Sequence, residues 1–324
     1  MAGLQRHPYK GNLMKIAIFG TGGVGGYFGG LLAHGGNEVH FIARGAHLDA
    51  IRERGLQIKS VNGDFLVSPA FATDNPADVG PVEYLVVAVK HYQLADAAPQ
   101  MRPLVGPETT IVPLLNGVDA HETLIDAFGS EPVVGGLCSL VSLIEEPGVI
   151  RQPSQLRRVV VGELSRKQSD RVEKIVSAWK EMGAEAIHAE DIFVSMWTKF
   201  VFIASFGGVS SLARANMGEI LQNKETRAIY IDAMREVETL ARAQNINLAP
   251  DVVDNMIAMS EGFEPTATSS MQRDVVAGNL FELEAFSGKI VHLAQGLGIE
   301  TPIHRAIYGL LLPSLERAAS AAKT

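Results

Sequence analysis

Three glycines at fixed spacing between a strand and a helix constrain this chain more than any other feature. Residues 15–20, Lys-Ile-Ala-Ile-Phe-Gly, form a short apolar run ending in glycine, which reads as a buried strand. The run leads directly into Gly20-Thr21-Gly22-Gly23-Val24-Gly25, and residues 24–34 follow as a helix that is small on one side (Gly25, Gly26, Gly29, Gly30). The pattern is G-x-G-x-x-G in the context it requires, with a second strand over residues 38–43. The first glycine permits the tight turn. The second lets backbone approach a pyrophosphate, and the third lets the helix pack closely on the sheet. The helix N-terminus then offers N–H groups and a partial positive charge to phosphates. Dinucleotide binding is expected; the alternative is a close-packing glycine turn in an unrelated α/β domain.

The rest of the first half keeps a strand–helix rhythm. His47 to Arg54 reads as helical, Val61 to Ala72 as a hairpin around Asn62-Gly63, and Tyr84 to Val89 and Thr110 to Leu115 as apolar strands, with another starting at Val133. Apolar strands alternating with helices predict a parallel sheet covered on both faces. After about residue 189 nearly everything carries helical spacing. Residues 191–205, 225–246, 251–260, 268–278 and 281–297 read as helices punctuated by Pro250, Pro265 and Pro302. The expected class is α/β. A Rossmann-type doubly wound sheet over residues 14–189 is followed by an all-helical domain over residues 190–319, where substrate specificity and subunit contact are expected. A length of 324 residues suits about two domains. The first fourteen residues, with Arg6, His7, Pro8 and Lys10, read as a disordered lead-in and not as a signal peptide.

Charge and cysteine content narrow the function classes. Lysine and arginine number 28 against 36 acidic residues, a net charge of −8, whereas a nucleic-acid binder carries a basic footprint. Cys138 is the one cysteine, so an intrachain disulfide and a four-cysteine metal site are excluded. A cytoplasmic location is the expectation, and Cys138 itself is expected in the core. No apolar run reaches the roughly 18 residues of a membrane helix. The longest, Ile192 to Ala204, is broken by Ser195, Thr198 and Lys199. The histidines form no i, i+4 ligand pair, so no metal is expected. His188-Ala189-Glu190-Asp191 reads as the end of one domain and the cap of the next helix.

Two cations invite a chemical reading. The second strand ends in Ala43-Arg44-Gly45, where an NAD site wants an acid to hold the ribose hydroxyls. Arg44 can fork a 2′-phosphate that a carboxylate would repel, so NADP is expected; the alternative is a solvated turn arginine. Lys199 is the one charge between Ile192 and Phe206. Either it snorkels to the surface or it faces a polar cleft. In the second case it can protonate a developing alkoxide, since burial lowers an ammonium's pKa. Polar partners are on offer in Ser269-Ser270-Met271-Gln272-Arg273-Asp274 and in Glu282 and Glu284. Glu282 reads as lying on an apolar helix face, or else as a solvated helix carboxylate.

With these pieces in place the chain resembles the ketopantoate reductase (2-dehydropantoate 2-reductase) family, whose fold belongs with the 6-phosphogluconate dehydrogenase-like enzymes. The resemblance runs from about Met14 to Glu316. It rests on Gly20 to Gly25, Ala43-Arg44-Gly45, Val87-Ala-Val-Lys90-His-Tyr-Gln93, Leu115-Asn116-Gly117-Val118, Trp197-Thr-Lys199-Phe, Ser269 to Asp274, Glu282, and Gly298-Ile-Glu-Thr-Pro302. It implies that Gly20, Thr21, Gly22, Gly23, Val24 and Gly25 hold the pyrophosphate and Arg44 the 2′-phosphate. Lys90 would serve the cofactor, and Asn116 both cofactor and substrate. Read alone, Lys90 is equally a surface cation after a strand, and Asn116 a turn former before glycine. Lys199 would be the general acid, Glu282 its neighbour at the reacting oxygen, and Ser270 the partner of the substrate carboxylate.

The resemblance also exposes a departure. The family helix carries asparagines four and eight residues after its lysine, on the same helix face, and a third just before the Gly-Glu pair at 218–219. This chain has Ile203, Gly207 and Met217 at those positions. Loss of amides that grip hydroxyls weakens selection for those hydroxyls. The implied activity is NADPH-dependent reduction of 2-dehydropantoate to (R)-pantoate in pantothenate (coenzyme A) biosynthesis. The alternative is a family member reducing a different, more apolar 2-oxo acid or ketone, with Ile203 and Gly207 lining its pocket. A non-catalytic NADP-sensing module is a further alternative, opposed by the presence of both Lys199 and Glu282. A small-molecule substrate and a homodimer are expected; a nucleic-acid or membrane partner is not.

Overall fold

The computed structural model describes residues 13–322. Most of the expected lead-in, residues 1–12, lies outside the described residues; Met14 is already in the core. The chain forms two compact units that divide between Ile192 and Phe193.

The first unit runs β1 (Lys15–Phe19), α1 (Gly23–His34), β2 (Glu38–Ile42), α2 (Gly45–Arg54), β3 (Leu56–Ser60), β4 (Phe65–Val67), β5 (Phe71–Thr73), β6 (Tyr84–Val87), α3 (Leu94–Ala97), β7 (Thr110–Pro113) and α4 (Ala120–Phe128). It continues with β8 (Gly135–Leu140), β9 (Leu143–Glu146), β10 (Val149–Gln152), β11 (Arg157–Gly162), α5 (Asp170–Glu181) and β12 (Glu185–His188). The five strands β5-β2-β1-β6-β7 form one sheet, every pair parallel. Period-two alternation buries both faces. Ile16 and Ile18 join one core with Phe28, Leu31 and Trp179, while Ala17 and Phe19 join the other with Leu94, Met101 and Leu124. The Trp179 indole N–H donates to Phe28 O at 3.1 Å, fastening α5 to α1.

The strand order reverses beside β1: the chain moves outward through β2 and β5, then returns to β6 on the other side. Ligands of open α/β sheets bind at the carboxyl ends of the strands at such a switch. The hairpin expected over Val61 to Ala72 is centred correctly but drawn too late. Its arms are β3 and β4, whereas β5 belongs to the parallel sheet. Two further sheets, β4-β3-β10-β9 and β12-β11-β8, are mixed and were not expected. Cys138 on β8 is buried, its thiol 3.7 Å from Leu114 O.

The second unit is helical: α6 (Ile192–Ala213), α7 (Met217–Gln222), α8 (Lys224–Ala243), α9 (Val252–Glu261), α10 (Ser270–Ala277), α11 (Lys289–Leu297) and α12 (Pro302–Ala321). Two expectations need correction. Helix α6 does not stop at 205 but continues past Gly207-Gly208. These glycines are packing surfaces and not breaks: a Cβ on Gly207 would lie 3.2 Å from the Phe286 ring, and one on Gly208 2.9 Å from Ile307. At this length α6 is long and apolar enough to cross a membrane, although most of its apolar window is buried inside the protein. The expected helix 281–297 instead begins with a π-helical turn, Glu284–Gly288, before α11. Glu282 therefore precedes the helix, and its backbone carbonyl accepts from Phe286 N–H at 3.1 Å.

Candidate active site

In the first unit, four loops at the carboxyl ends of parallel strands carry the expected cofactor residues. Gly20 follows β1 at φ +99°, and a Cβ there would stand 2.9 Å from the Ala88 carbonyl. That close approach presses the loop after β1 against the loop after β6. A Cβ on Gly25 would collide with Gly20 O and lie 2.9 Å from Ile18, so the third glycine seats α1 on the sheet. Thr21 anchors the loop, its N–H and hydroxyl both donating to Ile42 O at 3.2 and 3.0 Å. Val24 packs on the core from the first turn of α1.

This loop fits a pyrophosphate. A Cβ on Gly22 would meet nothing within 4 Å, so open space faces the second glycine. Gly22 caps α1 without a side-chain hydrogen bond, and the first turn holds no acid, which leaves the helix N-terminus positive. Beside it a Cβ on Gly23 would stand 2.6 Å from Ser142 O. The buried Ser142 hydroxyl has no hydrogen-bond partner among the described residues. Ser142 carried no signal in the sequence and reaches the loop from the short link between β8 and β9. His47, in the first turn of α2, accepts from Gly148 N–H at its Nδ1 (3.0 Å). Burial holds this ring below its usual pKa, partly offset by the Thr21 backbone, so the ring stays neutral beside the loop.

Arg44 occupies the N-cap position of α2, directly after β2. It is exposed, with its guanidinium 2.6 Å from Gln100 Oε1. The first acid after it in the chain, Asp49, lies within α2. Lys90 is partly buried after β6, its N–H donating to Gln93 Oε1 at 3.1 Å. Asn116 is partly buried after β7, with Gly117 behind it at φ +98°.

In the second unit, one stripe of α6 carries Lys199, Ile203 and Gly207 at i, i+4 and i+8. Lys199 and Ile203 are partly buried and Gly207 is buried. The Phe286 ring lies on Gly207 and meets Phe200 edge-on at 6.2 Å. A Cβ on Gly207 would also lie 3.7 Å from Met271 Cβ, which brings α10 against the same stripe. Ser269 caps α10, accepting from Gln272 N–H at 3.0 Å, and its hydroxyl is 2.9 Å from Ser210 Oγ. Ser270 is the first residue of α10 and partly buried. Glu282 is only 5% exposed. The unit thus gathers the Lys199 stripe, the α10 N-terminus and the segment from Glu282 to Phe286. Met217 stands apart as a core side chain, its N–H bonded to Ala267 O.

Two family models match the chain: "Ketopantoate reductase PanE/ApbA" over residues 16–166 and "Ketopantoate reductase PanE/ApbA C terminal" over residues 191–313. The chain is 29% identical over 298 residues to the uncharacterised oxidoreductase YkpB of Bacillus subtilis, covering 92% of this chain and 98% of that one. The crystal structure of 2-dehydropantoate 2-reductase from Geobacter metallireducens superposes with a TM-score of 0.86 at 29% identity, covering 94% and 99% of the two chains. A ternary structure of D-mandelate dehydrogenase with NADH and anilino(oxo)acetate superposes equally well, at 0.86, over 94% and 100% of the two chains. At 22% identity that likeness is one of fold.

Proposed function

This chain belongs to the ketopantoate reductase family of oxidoreductases, and from that premise we propose that it reduces a 2-oxo acid to a 2-hydroxy acid with NADPH. The first substrate proposed is 2-dehydropantoate, giving (R)-pantoate for pantothenate synthesis. The observation that carries the reading is the setting of Lys199: a partly buried cation on a helix with no other charge, on a stripe that also meets the elements bearing Ser270 and Glu282.

In this reading the loop from Gly20 to Gly25 and the α1 N-terminus hold the pyrophosphate, Arg44 the 2′-phosphate, and Lys90 and Asn116 the rest of the cofactor. When bound, the nicotinamide supplies a hydride to the ketone carbon. The Lys199 ammonium donates a proton to the ketone oxygen as alkoxide charge develops there. Ser270 donates its hydroxyl hydrogen to the substrate carboxylate, which also gains from the positive end of α10. Glu282 sits beside the reacting oxygen and the ammonium.

A second substrate reading is favoured by one contact. The Phe286 ring fills the space that a side chain at 207 would need, and Ile203 is aliphatic. That wall suits an apolar substituent on the 2-oxo acid better than a hydroxylated one.

Lys199→Ala is the test of mechanism. NADPH affinity should stay within about twofold while kcat falls roughly 10²- to 10⁴-fold. Undiminished turnover would remove Lys199 as the acid, and absence of turnover in the unmodified protein would favour a cofactor sensor. A panel of 2-oxo acids, followed by NADPH absorbance with an NADH control, separates the substrates. A higher kcat/KM for ketopantoate than for apolar analogues supports the pantoate reading, and the reverse order supports the apolar pocket.

A further inference from the structure

The loops that carry Lys90 and Asn116 are tied together by a contact that the mechanism above does not use. His91 Nε2 lies 2.7 Å from Asp119 Oδ1, and the two side chains are only 17% and 15% exposed. An ionised carboxylate only accepts, so Nε2 carries the hydrogen and donates it, whether the ring is neutral or charged. Backbone pairing between the strands reaches Leu114 N–H, which donates to Val87 O at 2.7 Å. Beyond that point both chains leave the sheet, and Lys90 and Asn116 lie in the departing stretches. Gly117, at φ +98°, adds freedom on the Asn116 side. Asp119 sits at the N-cap position of α4 yet makes no side-chain cap hydrogen bond, the ordinary use of an aspartate there. Its Oδ1 is turned instead to the neighbouring loop.

We propose that the His91–Asp119 pair is a positioning device for the cofactor: it fixes the spacing of Lys90 and Asn116 and so sets NADPH affinity without touching the cofactor. The inference rests on the reading of Lys90 and Asn116 as cofactor residues. The pair crosses between the carboxyl ends of β6 and β7, where a small shift of either loop changes both polar groups together.

The experiment measures NADPH binding to the full-length protein by fluorescence titration, with steady-state kinetics and thermal melts of the apo-protein. The variants are His91→Ala, Asp119→Ala, the double variant, His91→Gln and Lys90→Ala. His91→Ala and Asp119→Ala should each raise the NADPH Kd and KM about tenfold with kcat within about twofold. The double variant should be no worse than either single one. His91→Gln, whose amide N–H can still donate to Asp119, should recover most of the affinity. Unchanged Kd in both alanine variants, with Lys90→Ala weakened, would overturn the proposal and leave the cofactor reading standing. A Lys90→Ala variant that binds NADPH normally would instead remove that reading and the proposal with it. Melting temperatures that fall in step with affinity, without recovery in His91→Gln, would make the pair a structural tie and overturn its positioning role.

Discussion

Arg44 and Gly207 are the two residues whose replacement separates the readings most sharply. Arg44 is exposed and held near Gln100, so its pairing with a 2′-phosphate would be open to salt screening. Arg44→Glu should raise the NADPH KM at least about tenfold and leave the NADH KM within about threefold. The salt dependence of the NADPH KM should vanish with it. Equal losses for both cofactors in steady-state kinetics would refute this role. Gly207→Asn places a side chain where the Phe286 ring stands at 3.2 Å, and that ring is itself buried and backed by Phe200. A destabilisation of about 1–3 kcal/mol is expected, in excess of the helix-propensity gain. Denaturant titration of Gly207→Asn alone and with Phe286→Ala should show strong non-additivity. Gly20 and Gly25 were legible in the sequence because close approach admits no other residue there, and Gly22 because the spacing of the pattern marks it. Ser142, His91 and Asp119 were not, because their contacts depend on neighbours brought together only by the fold.

Among the elements, the π-helical turn is buttressed by a buried histidine on α12. His304 Nε2–H donates to Ala233 O at 3.2 Å, so its Nδ1 accepts from the Ser287 hydroxyl at 3.1 Å. Burial pushes this ring down to about 4 from 6.5, partly offset by the Ala233 carbonyl. The unfolded chain therefore takes up a proton as pH falls through 6.5, and the folded protein does not until about 4. Stability from His304 is complete above 6.5 and is lost progressively between 6.5 and 4, by up to about 3 kcal/mol. Glu236, on α8, accepts from Ile303 and His304 N–H, and burial raises its pKa, which acts with the opposite sign. The difference in unfolding free energy between wild type and His304→Gln isolates the histidine. It should be flat above pH 6.5 and fall below it; a flat difference down to pH 4.5 would refute the assignment. The sequence showed helices α8 and α9 through their spacing. It concealed the length of α6, because only the facing Phe286 and Ile307 explain Gly207-Gly208 inside a helix. The π-helical turn left no periodic signature, so Glu282 was placed on a helix that begins after it.

At the scale of the whole molecule, the expected parallel sheet and the helical second unit follow from apolar strands, punctuating prolines and the change of period near residue 190. The mixed sheets β4-β3-β10-β9 and β12-β11-β8 do not, because β8 opens on two glycines and β9 is exposed throughout. The proposed cofactor residues from Gly20 to Asn116 fall in the first unit and Lys199, Ser270 and Glu282 in the second. Within the proposed substrate wall the freedom to vary is limited. An asparagine at 207 should not be reachable from this chain by one neutral step, because Phe286 already occupies its place. Shrinkage at 286 would have to come first, or arrive together with it. On the proposed reading, the order in which positions 207 and 286 change would then decide which variants remain folded.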